Sequence, residues 1–287
     1  MKSTRREFIG TAAAGAVALG CSSATEDDGV TRYVRFERNG ETAYGLLEGE
    51  SIKPFAGDLF GSREPTGETV ALADVKLLYP CQPRTVMALA GNYASHLGEG
   101  AELPAAPEPF YKPTSCLISP GEDIVYPDDA RDVHYEAELV IVIGKQAKNV
   151  SEAAADDYIL GYTCGNDVSE RNWQNGSLDG PENKDMQWWR GKGADTFGPM
   201  GPCIAKGFDF DAARIQLRQN GEVKQDTTLG HQIHKPAAAV AFISRYVTLN
   251  PGDVIFTGTS GITTPVQRGD VLEVEIDGIG VLSNPVV

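Results

Sequence analysis

Residues 136–143 read Glu-Ala-Glu-Leu-Val-Ile-Val-Ile, two carboxylates running straight into five aliphatic side chains. Consecutive Val and Ile favour a strand, here opening at Glu136-Ala137-Glu138 and continuing from Glu138 to Ile143. Alternate residues of a strand face the same side. Glu136 and Glu138 therefore project together, and Ala137 points away. Two like charges on one face repel, and burying either one unpaired costs several kcal/mol. A divalent cation removes that cost. The plain alternative is an exposed strand face that happens to carry two glutamates.

A third carboxylate, Asp167, lies in Cys164-Gly165-Asn166-Asp167-Val168, just after a second apolar strand. From a neighbouring strand it would complete one side of an octahedron with Glu136 and Glu138. Such an all-oxygen set suits Mg²⁺, with Mn²⁺ or Ca²⁺ as alternatives, and not zinc.

Most of the remaining segments also suit strands. Glycine is 32 of 287 residues, about 11% against a usual ~7%, which implies many turns and a mainly β fold with some α. Asn39-Gly40 and Asn220-Gly221 are hairpin signals. Candidate strands include Ile124–Tyr126, Tyr158–Gly165, Ile215–Gln219, Val254–Thr257 and Val271–Ile276. Helical candidates are few: Ser151–Asp157, with Ser151 as N-cap, and Ala237–Tyr246. Residues 30–75 read as a small β-rich unit and 76–287 as a larger β-sandwich or roll. A net charge of −15 with no Lys/Arg cluster excludes nucleic acid as a partner.

The first 25 residues differ. Arg5-Arg6 precedes an uncharged run of about 12 residues, mostly Ala, Gly and Val, that ends at Gly20. A spanning helix needs ~20 apolar residues, so this pattern reads as an export signal of twin-arginine type. Cys21 closes the run and resembles a lipoprotein processing site. The expected location is exported: periplasmic, or membrane-anchored through lipid on Cys21. The other cysteines, Cys81, Cys116, Cys164 and Cys203, form no zinc pattern and read as small buried residues.

Several segments in fixed order resemble the fumarylacetoacetate hydrolase family. They include Asn92-Tyr93-Ala94-Ser95-His96-Leu97-Gly98-Glu99, Lys112-Pro113-Thr114-Ser115, and His134-Tyr135-Glu136-Ala137-Glu138-Leu139. Asn166-Asp167-Val168-Ser169, Arg171-Asn172-Trp173-Gln174 and Lys192-Gly193-Ala194-Asp195-Thr196-Phe197 follow. The segment Thr257-Gly258-Thr259-Ser260-Gly261-Ile262 departs from the family's pattern: it lacks a proline and is one residue shorter. The resemblance covers residues 75–287, and the unit at 30–75 resembles the family's small N-terminal domain.

The resemblance implies a metal at Glu136, Glu138 and Asp167. It implies that His96, paired with Glu99 three residues on, activates water, and that Lys192 donates to a substrate oxygen. Tyr93, Arg171, Gln174 and Thr259 would contact a small keto-acid substrate. His134 reads as a supporting residue. The leading reaction is hydrolysis of a C–C bond in an α-keto or β-diketo acid such as an acylpyruvate. Isomerisation or decarboxylation, and lyase or dehydratase chemistry on a 2-oxo acid, are the alternatives. An exported binding protein without catalysis is the reading from a different class. A homodimer is expected.

Overall fold

The computed structural model describes residues 28–287. The expected export signal, with its Arg5-Arg6 pair and Cys21, lies outside the described residues. The chain is mainly β with some α, and a small β-rich unit precedes the larger one.

In the first unit β1 (Thr31–Arg38), β2 (Glu41–Glu48) and β3 (Ser51–Gly57) form an antiparallel meander. At the β1–β2 turn Asn39 and Gly40 have φ of 54° and 82°. A type I′ turn requires positive φ at both central positions, and Asn-Gly supplies it at least cost. Asn220-Gly221 repeats the device with φ of 54° and 79°.

The larger unit contributes β4 (Val86–Ala90), β5 (Glu108–Lys112), β6 (Ala137–Ile143), β7 (Ile159–Asn166) and β8 (Gly198–Lys206). It continues with β9 (Arg214–Gln219), β10 (Glu222–Thr228), β11 (Val254–Phe256), β12 (Val271–Ile276) and β13 (Gly280–Pro285). Three α-helices are described: α1 (Ala94–Leu97), α2 (Arg171–Asn175) and α3 (Pro236–Tyr246).

The spine of the large sheet runs β3-β2-β1-β8-β7-β6-β11-β4-β5, and a smaller sheet runs β10-β9-β12-β13. The N-terminal unit is not joined by a free linker. Its β1 pairs antiparallel with β8, Thr31 opposite Lys206 and Tyr33 opposite Ile204. The acid-bearing strand β6 lies well inside the sheet, between β7 and β11.

All seven residues of β6 are buried. Leu139 packs with Ile215, Leu217 and Val274 of the small sheet. Ile141 and Ile143 pack under α3 against Val240 and Ile243. Val140 and Val142 face Met200 and Phe256 in a third cluster. Cover on both sides explains why the run is apolar at every position instead of alternating.

Two expected elements take other forms. The helix expected over Ser151–Asp157 is a 3₁₀ segment, Glu152–Tyr158, and the Ser151 side chain makes no capping bond. Ile124–Tyr126 is not a strand but an isolated bridge from Ile124 to Val286 near the chain end. With Pro127 next in the chain, its backbone cannot go on donating to a ladder.

One glycine sets the approach of β6 to its neighbours. Gly165 on β7 stands opposite Glu138, and a Cβ there would lie 2.5 Å from both Phe256 and Val140 side-chain atoms. Gly165→Ala is expected to destabilise the fold by ~1–3 kcal/mol through overpacking, seen as a lower urea midpoint. A midpoint equal to that of the unsubstituted protein would show that Phe256 can turn aside freely.

Candidate active site and metal centre

The β6–β7 pairing brings the three acids together. Asn166 stands opposite Ala137 at the end of the ladder. Beyond it the chains stay joined: Asp167 N–H donates to the Glu136 carbonyl (2.9 Å), and Glu136 N–H donates to Asn166 Oδ1 (2.9 Å). Glu136, Glu138 and Asp167 are buried, and each offers an oxygen within 4.8 Å of the others.

Three buried or nearly buried cations face them. Lys192 Nζ donates to Glu136 Oε2 (2.6 Å) and Asp167 Oδ2 (2.7 Å). Arg171 reaches Glu136 Oε1 at 2.6 Å. Lys112 Nζ donates to Asp167 Oδ1 (2.6 Å) and to the carbonyls of Phe197 (3.2 Å) and Lys192. Lys112 stood in a family-like segment without a role. Its signal was a lysine ending an otherwise uncharged Pro-Phe-Tyr run, but its acid partner is 55 residues away.

The acids are not treated alike. Burial works to raise Glu136, yet Lys192, Arg171 and His96 together hold it well below the usual carboxylate range. Glu138 is pushed well above that range by burial and by the neighbouring charges of Asp167 and Glu136. Its Oε2 accepts from Gly258 N–H (2.7 Å), while its Oε1 is buried with no partner. An orphaned carboxylate oxygen amid converging oxygens is what a hard divalent cation would satisfy. The residues fit such an ion.

His96 sits on α1, and its Nδ1 lies 2.6 Å from the Gly261 carbonyl. A carbonyl only accepts, so Nδ1 carries a hydrogen, and in the neutral ring Nε2 has the lone pair. Nε2 points to the acids, 3.8 Å from Glu136 Oε1. The expected partnership with Glu99 does not form among the described residues. The helix ends at Leu97, Gly98 turns the chain with φ 92°, and Glu99 is exposed. An i, i+3 pair shares a face only while the helix lasts.

The other predicted contacts divide. Gln174 and Thr259 line a cavity of about 590 Å³ with His96, Glu136 and Lys192, opposite Phe110 and Trp188. Gln174 Oε1 accepts from Arg171 (2.6 Å), which turns its amide N–H₂ away from that bond. Thr259 Oγ1 is engaged by the Ala137 carbonyl and Gln225. Tyr93 lies outside the cavity lining, 2% exposed, and burial raises its pKa. Arg171 also stands behind the lining, gripping Glu136.

The segment with the altered pattern laces this site together. Gly258 binds Glu138, and Thr259 binds Ala137. Gly261 takes Ser95 and His96, Thr263 takes Arg171 and His134, and Val266 N–H donates to Val133. Glu170, also unassigned by sequence, caps α2 through Trp173 N–H (2.5 Å). It accepts from the N–H groups of Arg131 and Asp132 as well, which fixes Arg171 at the helix start.

A family model described as fumarylacetoacetate (FAA) hydrolase C-terminal matches residues 85–287, and one described as Rv2993c-like, N-terminal, matches residues 31–80. Protein Rv2993c of Mycobacterium tuberculosis is 43% identical over 256 residues, 85% of this chain and 94% of that protein. The mitochondrial oxaloacetate tautomerase fahd2 of Xenopus laevis is 38% identical, covering 75% of this chain and 69% of its own. Among solved structures, 2-hydroxyhepta-2,4-diene-1,7-dioate isomerase from Mycobacterium marinum superposes with a TM-score of 0.81 at 39% identity, over 90% of this chain and 98% of its own. Maleylpyruvate hydrolase from Sphingobium sp. SYK-6, in complex with manganese(II) and pyruvate, gives 0.73 at 26%, over 89% and 98%. With the fold, the acid cluster and its surrounding cations in agreement, the chain belongs to the fumarylacetoacetate hydrolase family.

Proposed function

We propose that the protein interconverts the keto and enol forms of a small 2-oxo dicarboxylic acid, using a divalent cation, Mg²⁺ in the first instance. The observation that carries this reading is His96: one base with a free Nε2 beside the acids and no carboxylate behind it. A proton shift needs a single group that takes a proton from carbon and returns it. The isomerase and tautomerase names of relatives near 40% identity support the same chemistry.

Charge supports the substrate class. With all three acids ionised, Glu136, Glu138 and Asp167 are offset by Lys112, Arg171 and Lys192, and Glu138, pushed up by burial and its acid neighbours, reaches that form when a cation replaces its proton. A divalent cation with a doubly negative substrate keeps that balance, which a buried site demands. Glu136, Glu138 and Asp167 would hold the cation, which would supply Lewis acidity toward the 2-oxo group. His96 Nε2 takes the proton from the carbon beside that group. Lys192 uses two N–H groups on the acids and has a third for the enolate oxygen. Gln174 N–H₂ binds a substrate carboxylate oxygen.

C–C hydrolysis of an acylpyruvate is the second reading, favoured by the likeness to maleylpyruvate hydrolase and by a His96 equally able to take a proton from water. The protein acts outside the cytoplasm in this proposal, through the signal at Arg5-Arg6 and a lipid on Cys21, and as a homodimer.

With Mg²⁺ or Mn²⁺, ketonisation of enol-oxaloacetate, followed by ultraviolet absorbance, should exceed the spontaneous rate. It should vanish with EDTA and fall at least ~100-fold in Glu138→Ala. No acceleration, with pyruvate released from acetylpyruvate instead, would transfer the assignment to hydrolysis. His96→Asn should cost ~10²–10⁴ in rate, whereas Glu99→Gln should stay within about two-fold of the parent; a loss in the glutamine variant as large as that in the asparagine variant would restore the His–Glu pair. Cys21→Ala should move the protein from the membrane to the soluble fraction of fractionated cells, and an unchanged distribution would remove the lipid anchor.

A further inference from the structure

Behind the acid cluster runs a second line of polar groups that no step above employs. Asp132, His134, Thr263 and Arg171 are joined end to end and finish on Glu136. Arg171 donates to Thr263 Oγ1 (2.9 Å), Thr263 Oγ1 lies 2.9 Å from His134 Nδ1, and His134 Nε2 lies 2.9 Å from Asp132 Oδ1. The other Asp132 oxygen accepts from Ser177 Oγ (2.5 Å).

The direction of every hydrogen follows from the two ends. A guanidinium only donates and an ionised carboxylate only accepts. The neutral His134 ring has one N–H, which goes to the Asp132 carboxylate, so Nδ1 is left to take the Thr263 hydroxyl hydrogen. That nitrogen is therefore the acceptor, and Nε2 carries the hydrogen given to Asp132. One neutral tautomer of His134 satisfies all three links, and hydrogen bonds in such a series polarise one another.

The chain ends on a particular atom. Arg171 Nη2 serves both Thr263 and Glu136 Oε1, while Nη1 is held by Gln174. With two anchors besides the acid, the guanidinium cannot swing without losing one. Glu136 Oε1 is thereby fixed from the side opposite Lys192.

We propose that Thr263 and His134 are positioning residues: through Arg171 they set the carboxylate of Glu136 for the divalent cation. The proposal rests on the cation-site reading and is independent of which reaction follows. Partners of this kind behind a metal ligand typically govern affinity by 10–100-fold.

The test is calorimetric titration of Mn²⁺ into EDTA-stripped full-length protein, with circular dichroism to establish folding. Thr263→Val keeps the shape and removes the hydroxyl, and it should weaken Mn²⁺ binding by ~10-fold or more. Thr263→Ser restores the hydroxyl and should bind within about three-fold of the parent. His134→Phe, which removes both ring nitrogens, should also weaken binding. Parental affinity in the valine variant overturns the proposal, and so does a serine variant as weak as the valine one, since packing would then be the cause. Should the valine variant fail to fold, the phenylalanine variant decides, and parental affinity there overturns the proposal. No Mn²⁺ binding by the unsubstituted protein would instead remove the cation site itself, and the purpose of the chain with it.

Discussion

The balance between three buried carboxylates and three cations is the constraint around which this molecule is arranged. None of the acids could stay ionised in a dry interior alone. Lys192 bridges two of them, Arg171 grips one oxygen, and Lys112 approaches from an edge strand. Glu138 is left short by one partner. One of its oxygens is buried with nothing to bind. A site built this way is complete as a fold and incomplete as chemistry.

The part of this arrangement that depends on short-range pattern was legible in the sequence. Period-two spacing put Glu136 and Glu138 on one face, and the apolar run after them located the strand. Asn-Gly pairs located two hairpins, because that dipeptide answers a local backbone demand. Lys112 and Thr263 were not legible as working parts. Their partners lie tens of residues away, up to 129 for the Thr263–His134 contact, and only sheet topology brings them together. Glu99 shows the opposite case. Its spacing aligns it with His96 only on a longer helix, and this helix ends at Leu97 with Gly98 as its cap.

The stretch from Gly258 to Val266 begins in the segment that departs from the family's pattern, and it touches nearly every working residue. It accepts from the base at Gly261, donates to an acid at Gly258, and holds the arginine at Thr263. Backbone groups make two of these three contacts, so the segment's path matters more than most of its side chains. Thr263 is the exception, since there the side chain itself is the link.

Lys112 ends β5, which pairs with β4 on one side only and closes the spine of the large sheet. The acid it serves, Asp167, follows β7, a strand flanked on both sides. Edge strands open at lower free energy than central ones. Amide exchange would therefore find the lysine's strand among the early openings and β6 among the last. One of the site's three cations thus rides on a strand with a single hydrogen-bonded neighbour, and its hold on Asp167 depends on that strand staying in place.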